Sequence, residues 1–404
     1  MSMIESLTLM LALIYGTSLL YWSGKKWGAI ASTATLLAAT LSTLYWPLFL
    51  CLVLAAVTIG VLGRLRPQWV NGELRINTQR EVIQHLLALS MLLVGIQFAA
   101  NAVMLKMGIT PWLMRPDVGD AFLPIAGGIE IKAIVTLGLW DQNHPAAAVM
   151  LTLVLLTGLL CKRAFCGWAC PLGLAGEYLY KLRKRFIKSE LLPPKWLDWL
   201  LRMLKYLLLA GLLYIIITMP TTSLPQYLNG NYHKIADLKM ALFFITPGLV
   251  TLMGFGVILG LAAWRRQGFC RYICPYGALL GLLSFLSPFK IRRNTEHCLI
   301  ESRGMICDKC TRACPAAINV HTQANIRSDE CQACMRCISA CPKKEALQFS
   351  TRNGIQLSAR GLMIMLLMIL FMLPLIAYSS GYWVSQTPTE IRMYLIQHLN
   401  AIGH

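Results

Sequence analysis

Apolar residues run along this chain in blocks far longer than an amphipathic stripe requires. Eight blocks read as membrane-spanning helices, at 6–23, 28–45, 47–63, 83–106, 146–162, 199–219, 241–263 and 361–379. Each has the length and low charge that crossing a hydrocarbon core of about 30 Å demands. The second and third meet at Tyr45-Trp46-Pro47, where aromatics suit an interface and proline suits a tight turn. After the last block, Thr387-Pro388-Thr389-Glu390 reads as a capping box with proline at the first helical position. Ile391, Tyr394, Leu395, His398 and Ile402 then recur at helical spacing, which predicts a short amphipathic helix.

The polar connections decide the sides. Lys25 and Lys26 follow the first block, and Arg64, Arg66, Arg75 and Arg80 separate the third from the fourth. Lys162, Arg163, Lys181, Arg183, Lys184, Arg185 and Lys188 separate the fifth from the sixth, and Arg265, Arg266, Lys290, Arg292 and Arg293 follow the seventh. The alternate connections are poor in cations: 107–145 holds Arg115 and Lys132, and 220–240 holds Lys234 and Lys239. Basic loops stay on the cytoplasmic side, so both termini are expected outside, in the periplasm, and the segment after the seventh block inside. The start, Met1 to Glu5, lacks the basic region of a secretory signal, so the first block is expected to persist as a helix. Composition agrees: 56% of residues are hydrophobic and 14% charged. The net charge of +19 is spent on those loops, with no separate basic patch carrying stacking aromatics, so nucleic acid is excluded as a partner.

Residues 285–358 form the one sizeable polar insert, and residues 298–342 hold eight of the 14 cysteines. Cys331, Cys334, Cys337 and Cys341 follow C-x2-C-x2-C-x3-C-P, the run that wraps three thiolates around one [4Fe–4S] cube and sends the fourth to a neighbour. The preceding run is widened, with eight residues between Cys298 and Cys307 before Cys310 and Cys314. Exchange of fourth ligands predicts one cluster on Cys298, Cys307, Cys310 and Cys341, and a second on Cys314, Cys331, Cys334 and Cys337. Two consecutive four-cysteine runs ending in Cys-Pro are not the pattern of a zinc ribbon, and thiols in such number imply a reducing compartment. The fold class is therefore an α-helical integral membrane protein of about eight transmembrane helices with a small α+β two-cluster ferredoxin-like domain. Its expected divisions are 1–81, 82–284, 285–358 and 359–404.

Four more cysteines lie in an internal repeat. Lys162-Arg163 through Phe165-Cys166, Trp168, Cys170-Pro171 and Gly173 matches Arg265-Arg266 through Phe269-Cys270, Tyr272, Cys274-Pro275 and Gly277, with one extra residue in the second copy. Both copies follow helices expected to run the same way, so an axis along the membrane normal relates them and gathers four thiols at one boundary. In a helix, cysteines four apart share a face. Three chemistries suit such a set: a third iron–sulfur or other redox centre, a closed zinc or structural thiol site, and reactive thiols that cycle through a disulfide or bind copper. Cys51 and Cys161 read as packing residues, as do His85 and the methionines Met363, Met365, Met368 and Met372. Trp112 and Trp140 read as interface anchors.

Together, the paired Phe-Cys-x3-Cys-Pro repeats on membrane helices and the two-cluster segment after them resemble the NapH/YccM/NosR-type membrane ferredoxins, and more distantly the CcoG type. A further matching stretch is Arg115-Pro116 through Phe122-Leu123-Pro124-Ile125, with His144-Pro145 just before the fifth block. The resemblance covers roughly residues 85–345. It implies electron transfer linked to the quinone pool of a bacterial inner membrane, with redox partner proteins on one or both faces. Arg115 and His144 become candidates for contact with a quinone or partner. The first three blocks and the widened cysteine run depart from the shorter relatives, and there is no room for the outer flavin domain of NosR-like proteins. Two other readings stand beside the electron conduit: a copper reductase or assembly factor for a respiratory metalloenzyme, and a sensor whose redox state changes a partner's binding.

Overall fold

The computed structural model describes residues 76–112, 114–187, 193–343 and 345–399. The blocks at 6–23, 28–45 and 47–63, and Cys51, lie outside them. Three of the other five blocks form single long helices, Ile76–Lys106, Lys195–Thr218 and Ala359–Ser379. The block at 146–162 is the 17-residue helix Pro145–Cys161, with proline in its first turn, where an absent N–H is no loss. The single span at 241–263 is corrected: Ala236–Ile245 and Leu249–Trp264 meet at a bend of 78°. Thr246-Pro247-Gly248 lies at the bend, and the physical reason is the proline ring, which pushes Thr246 out of the helical region and ends the first helix there.

A helix also forms where a loop was expected, at Pro124–Leu137. Its two charges disguise it in the sequence, and both are consumed internally. The Glu130 carboxylate accepts the Ala148 backbone N–H at 2.9 Å. Lys132 donates to the carbonyls of Ile216, Ile217 and Met219 at 2.6–2.9 Å. Those carbonyls end Lys195–Thr218 and have no partner within that helix.

The repeat builds the centre of the molecule by exchange. Pro145–Cys161, which leads into the first copy, packs on Pro275–Leu283, which follows the second. Leu249–Trp264, which leads into the second copy, packs on Pro171–Phe186, which follows the first. Such reciprocity is what a two-fold relation between parallel copies requires.

The cysteine-rich insert is closed by a two-stranded antiparallel sheet in which Lys290 pairs with Ser350 and Arg293 with Leu347. It does not sit apart from the helices. One buried cluster contains Ile83, Trp168, Ile291, Phe349 and Leu362, so residues from the second, third and fourth expected divisions share a single core. Lys162 and Arg163, read above as loop cations, are instead wholly buried. Lys162 donates to the Ile326 carbonyl at 2.9 Å, and Arg163 to the Asp329 carbonyl at 3.0 Å and the Glu330 carboxylate at 3.2 Å. Glu330 also takes Lys205 at 2.6 Å and Arg202 at 3.1 Å. A cation removed from water must be paired, and here every named partner belongs to the insert.

A second polar network stands at the opposite end of Pro145–Cys161. Arg115 donates to Asp237 at 2.7 Å, to Asp117 at 3.0 Å and to Asp120. His144 places Nδ1 3.0 Å from Asp120 and Nε2 2.6 Å from the His233 carbonyl. Asp141 takes His233 at 2.5 Å and the backbone N–H groups of Asn143 and His144, fixing the turn that leads into the helix at Pro145. The tail helix, Thr389–Gln397, closes this end by pairing Arg392 with Asp237. Its expected capping box does not form, because the Thr387 hydroxyl donates to Asn143 at 2.7 Å instead.

Two outcomes follow from these networks. Burial disfavours a charged His144, but Asp120 outweighs it, and the imidazole is held above its ordinary value. A group whose pKa is raised by folding stabilises the fold below about pH 6.5, and that contribution is lost as pH rises through the raised value. Wild-type protein in micelles should therefore lose thermal stability as pH rises above about 6.5, and His144→Gln should flatten that slope. Glu330→Gln strips two fully buried cations of their carboxylate and should cost on the order of 3–5 kcal/mol in denaturant melts. An unchanged midpoint would show that the insert is held by apolar packing alone.

Candidate functional site

Each four-cysteine set drawn from the spacing surrounds its own cavity. Cys298, Cys307, Cys310 and Cys341 line one, together with Arg293 and His321. Cys314, Cys331, Cys334 and Cys337 line the other, beneath Ile291, Ile318 and Ile326. The widening of the first run is one short helix, Leu299–Arg303, ended by Gly304 in the left-handed region at φ 62°, and it returns Cys307 to the cavity that Cys298 already lines. In the second run the backbone is forced. Ala333 and Met335, on either side of Cys334, have φ of 47° and 55°. Side-chain-bearing residues hold such conformations only where the surroundings over-determine them, and here the alternation turns three thiols toward one point.

The two cavities differ in access. Cys331, Cys334 and Cys337 are buried, whereas Cys298, Cys307 and Cys341 are part-exposed beside a loop whose Ile306 side chain is fully in solvent. The buried set rests on the repeat. A Cβ on Gly167 would lie 3.0 Å from the Gln332 carbonyl oxygen and 3.3 Å from the Cys334 Cβ, so any larger residue would push the insert back by a few tenths of an ångström. Trp168 donates its indole N–H to the Ala333 carbonyl at 3.1 Å, and Arg271 donates to the Ala316 carbonyl at 3.0 Å. Arg336, beside the buried set, pairs with Glu177, which also takes Arg266 at 3.3 Å.

The repeat cysteines occupy equivalent places. In each copy the first thiol sits on a five-residue helix, Ala164–Trp168 or Gly268–Tyr272. The second, Cys170 or Cys274, is extended and leads into the next helix at its proline. The segment is not one continuous helix in either copy but two, with a break at Ala169 or Ile273, because the following proline cannot continue the turn. The shared glycine has one role in both copies. A Cβ on Gly173 would lie 2.6 Å from the Cys166 carbonyl oxygen, and one on Gly277 2.8 Å from that of Cys270. The extra residue of the second copy, Gln267, is absorbed in a left-handed turn at φ 57°.

Burial and the nearby Cys166 thiol push Cys170 up to about 12 and Cys274 up to about 11. Burial and the other three thiols raise Cys270 well above its ordinary value. Only a strongly cationic centre would draw such a set into the thiolate form. Arg163 supplies part of that field, with its guanidinium 3.2 Å from the Cys270 carbonyl and its own proton held more firmly by Cys166, Glu330, Cys270 and Cys274 against the cost of burial. Three thiols on one tetrahedral zinc lie about 3.8 Å apart. Among the described residues, no three thiols come within 4.8 Å of one another.

The trio that does converge so closely is Asp120, His144 and Asp237, and guanidinium groups of Arg115 and Arg392 fill it. His144 is wholly buried with both ring nitrogens engaged, and Arg115 spends its donors on three aspartates and approaches His144 at 3.0 Å. The structure brings the two residues together and turns them inward, into one network with Asp117, Asp120 and Asp237. Asp120, Asp237, Asp141, His233 and Arg392 escaped the sequence reading because they are scattered and carry no spacing signal. Cys161 and Met363 are core, as expected. His85 is exposed and joins Tyr178 at 2.5 Å.

Comparison with known proteins agrees with the geometry. A 4Fe-4S binding domain family matches residues 143–190 and 245–294, one repeat copy in each, and a 4Fe-4S dicluster domain family matches 290–342. YccM of Escherichia coli K12 is 36% identical over 73% of this chain and 83% of its own length. NapH of the same organism is 25% identical over 54% of this chain and 74% of its own. NosR of Pseudomonas aeruginosa is 25% identical over 44% of this chain and 23% of its own. No solved structure matches. The chain carries iron–sulfur sequence families on apolar membrane helices and belongs to the NapH/YccM/NosR-type family of membrane ferredoxins.

Proposed function

We propose that the protein carries single electrons between the quinone pool of a bacterial inner membrane and a redox partner, using three iron–sulfur clusters. Cys298, Cys307, Cys310 and Cys341 would hold the first, Cys314, Cys331, Cys334 and Cys337 the second, and Cys166, Cys170, Cys270 and Cys274 the third. Bound there, the clusters would supply one-electron chemistry. The protein's part is to fix their order and surroundings. The part-exposed set suits exchange with a soluble or docked partner. The buried set is pressed against the repeat by Gly167, Trp168 and Arg271. The repeat set lies where the spanning helices end. That succession, from solvent to membrane, is the observation that carries the reading.

Lys181, Lys184 and Arg185 are exposed one to two turns beyond Glu177, which is bonded to the insert through Arg336. Exposed cations at the cysteine end support a cytoplasmic insert and termini on the periplasmic side. The name of YccM speaks of electron transport, and the family of NapH and NosR supports redox partners. Arg163 and Arg271 keep cationic charge beside the thiols, which stabilises added electrons and raises potentials.

Anaerobically purified protein should contain about twelve irons per chain, and Cys166→Ser with Cys170→Ser should retain about eight. Menaquinol should bleach the visible absorption of the wild type. Colourless protein containing zinc would overturn the proposal, and eight irons in the wild type would remove the third cluster from it.

A further inference from the structure

Arg293 ends the first strand of the insert and lines the cavity of the part-exposed cysteine set. Its backbone is held twice, by its place opposite Leu347 in the sheet and by an N–H donated to the Ala324 carbonyl at 2.8 Å. Its side chain is 8% exposed. Lys309 and Lys343 line the same cavity, but both are exposed, so water and salt screen their charge. Of these three cations, Arg293 alone is shielded from solvent.

The guanidinium is only partly spent. Nη2 donates to the Glu301 carboxylate at 3.0 Å. Nε and Nη1 are buried and have no hydrogen-bond partner of good geometry among the described residues. The Cys298 thiol stands beside them. Burial works against the Arg293 charge, but Cys298 and then Glu301 outweigh it, and the group stays firmly cationic. A buried donor is nearly always paired, and a neutral thiol is a weak acceptor. A cysteine on iron is a thiolate, and a charged acceptor makes the stronger bond. The unspent donors are thus matched to the form Cys298 takes in the loaded site.

Glu301 comes from the widening itself. Eight residues separate Cys298 from Cys307, where the second run has two, and Glu301 lies on the helix they form, Leu299–Arg303. That helix starts from Cys298, whose carbonyl accepts the N–H groups of Glu301 at 3.1 Å and Ser302 at 2.8 Å. An interval of two residues has no place for this carboxylate. We infer that Arg293, steered by Glu301 of the widened run, gives its unspent N–H donors to the Cys298 sulfur and raises the potential of the first cluster. The inference rests on the reading of Cys298, Cys307, Cys310 and Cys341 as the ligands of that cluster. An added electron puts more negative charge on the sulfurs, so the donors hold the reduced form more tightly than the oxidised one. Among the described residues, no Lys or Arg lines the cavity of the buried set, so the effect belongs to one cluster.

The test uses full-length protein, purified anaerobically, with arginine labelled by 15N in the guanidinium. Pulsed EPR of the dithionite-reduced wild type should show a 15N coupling to a cluster, and Arg293→Lys should lose it. In a redox titration followed by EPR, Arg293→Met should lower the reduced-to-oxidised ratio of one cluster about tenfold at fixed potential, about 59 mV for one electron. Arg293→Lys should fall between, because an ammonium keeps the charge without the fork. The remaining signals should keep their midpoints. An arginine that merely clamps the Leu299–Arg303 helix would shift the thermal midpoint and leave coupling and potential unmoved. No 15N coupling in the wild type, or unmoved potentials in both variants, overturns the inference. Should Arg293→Met lose its iron, the labelled wild type and Arg293→Lys still decide. Failure of the underlying reading looks different. Cys307→Ser with Cys310→Ser should remove about four irons; unchanged iron there takes down the cluster and the inference with it, whereas the loss of four irons beside unmoved potentials takes down the inference alone.

Discussion

The arrangement depends on two buried cations. Lys162 and Arg163 follow an apolar helix directly and are wholly excluded from water. Their lowest-energy partners in sequence would be solvent and lipid headgroups, yet the fold gives them the Ile326 and Asp329 carbonyls and the Glu330 carboxylate. That choice fixes the insert. The residue after Glu330 is Cys331, so the pairing that neutralises the cations also sets the first thiol of the buried set. A buried charge left alone is far more costly than the same charge in water, and this asymmetry makes the junction all-or-none. A loop that docked loosely would strand Lys162, Arg163 and Lys205 together.

Once the junction is set, small residues decide how closely its parts approach. Gly167 admits the Cys334 loop on one side of the repeat, and Gly173 and Gly277 admit the carbonyls of Cys166 and Cys270 on the other. The repeat copies diverge at one informative position, where Gly167 of the first corresponds to Arg271 of the second. Both positions face the buried cysteine set, one by absence of a side chain and the other by a guanidinium bonded to Ala316 and to Asp198. A symmetric scaffold thus presents unlike faces to an asymmetric insert. The repeat could not keep glycine in both places and still hold the Cys314 side, nor arginine in both and still admit Cys334.

Features set by short-range spacing were legible in the sequence, and features set by distant pairing were not. The cysteine sets could be read because cluster chemistry dictates intervals of two and three residues, and the cavities gather those same residues. Three of the long helices were readable because lipid demands unbroken apolar length. The bend at Thr246-Pro247-Gly248 carried its own signal, which the apolar run on both sides outweighed. Pro124–Leu137 was hidden by Glu130 and Lys132, whose partners lie 18 and more than 80 residues away. Lys162 and Arg163 were misread for a related reason. A cation beside an apolar block looks the same in sequence whether it meets headgroups or a buried carboxylate, and only the partner, more than 160 residues on, distinguishes them.

The polar network at the far end makes the division of labour intelligible. Arg115, Asp120, His144, Asp237 and Arg392 consume one another's charge and draw together the first described helix, the broken pair and the tail helix. A rigid ionic knot is a poor place for a ligand that must come and go, because every contact made to it breaks one already present. The apolar cavity beside Trp140, between Pro124–Leu137, Pro145–Cys161 and Ala359–Ser379, has the opposite character: its walls lose little when emptied. Separating the two lets the same end of the bundle be braced and accessible at once. Asp141 joins them physically, fixing the turn before the helix whose next turns form a cavity wall while sitting beside Trp140 in the chain. The bracing therefore sets the height of the indole against Val149 and Thr152, and the ionic residues act on that cavity by position without entering it.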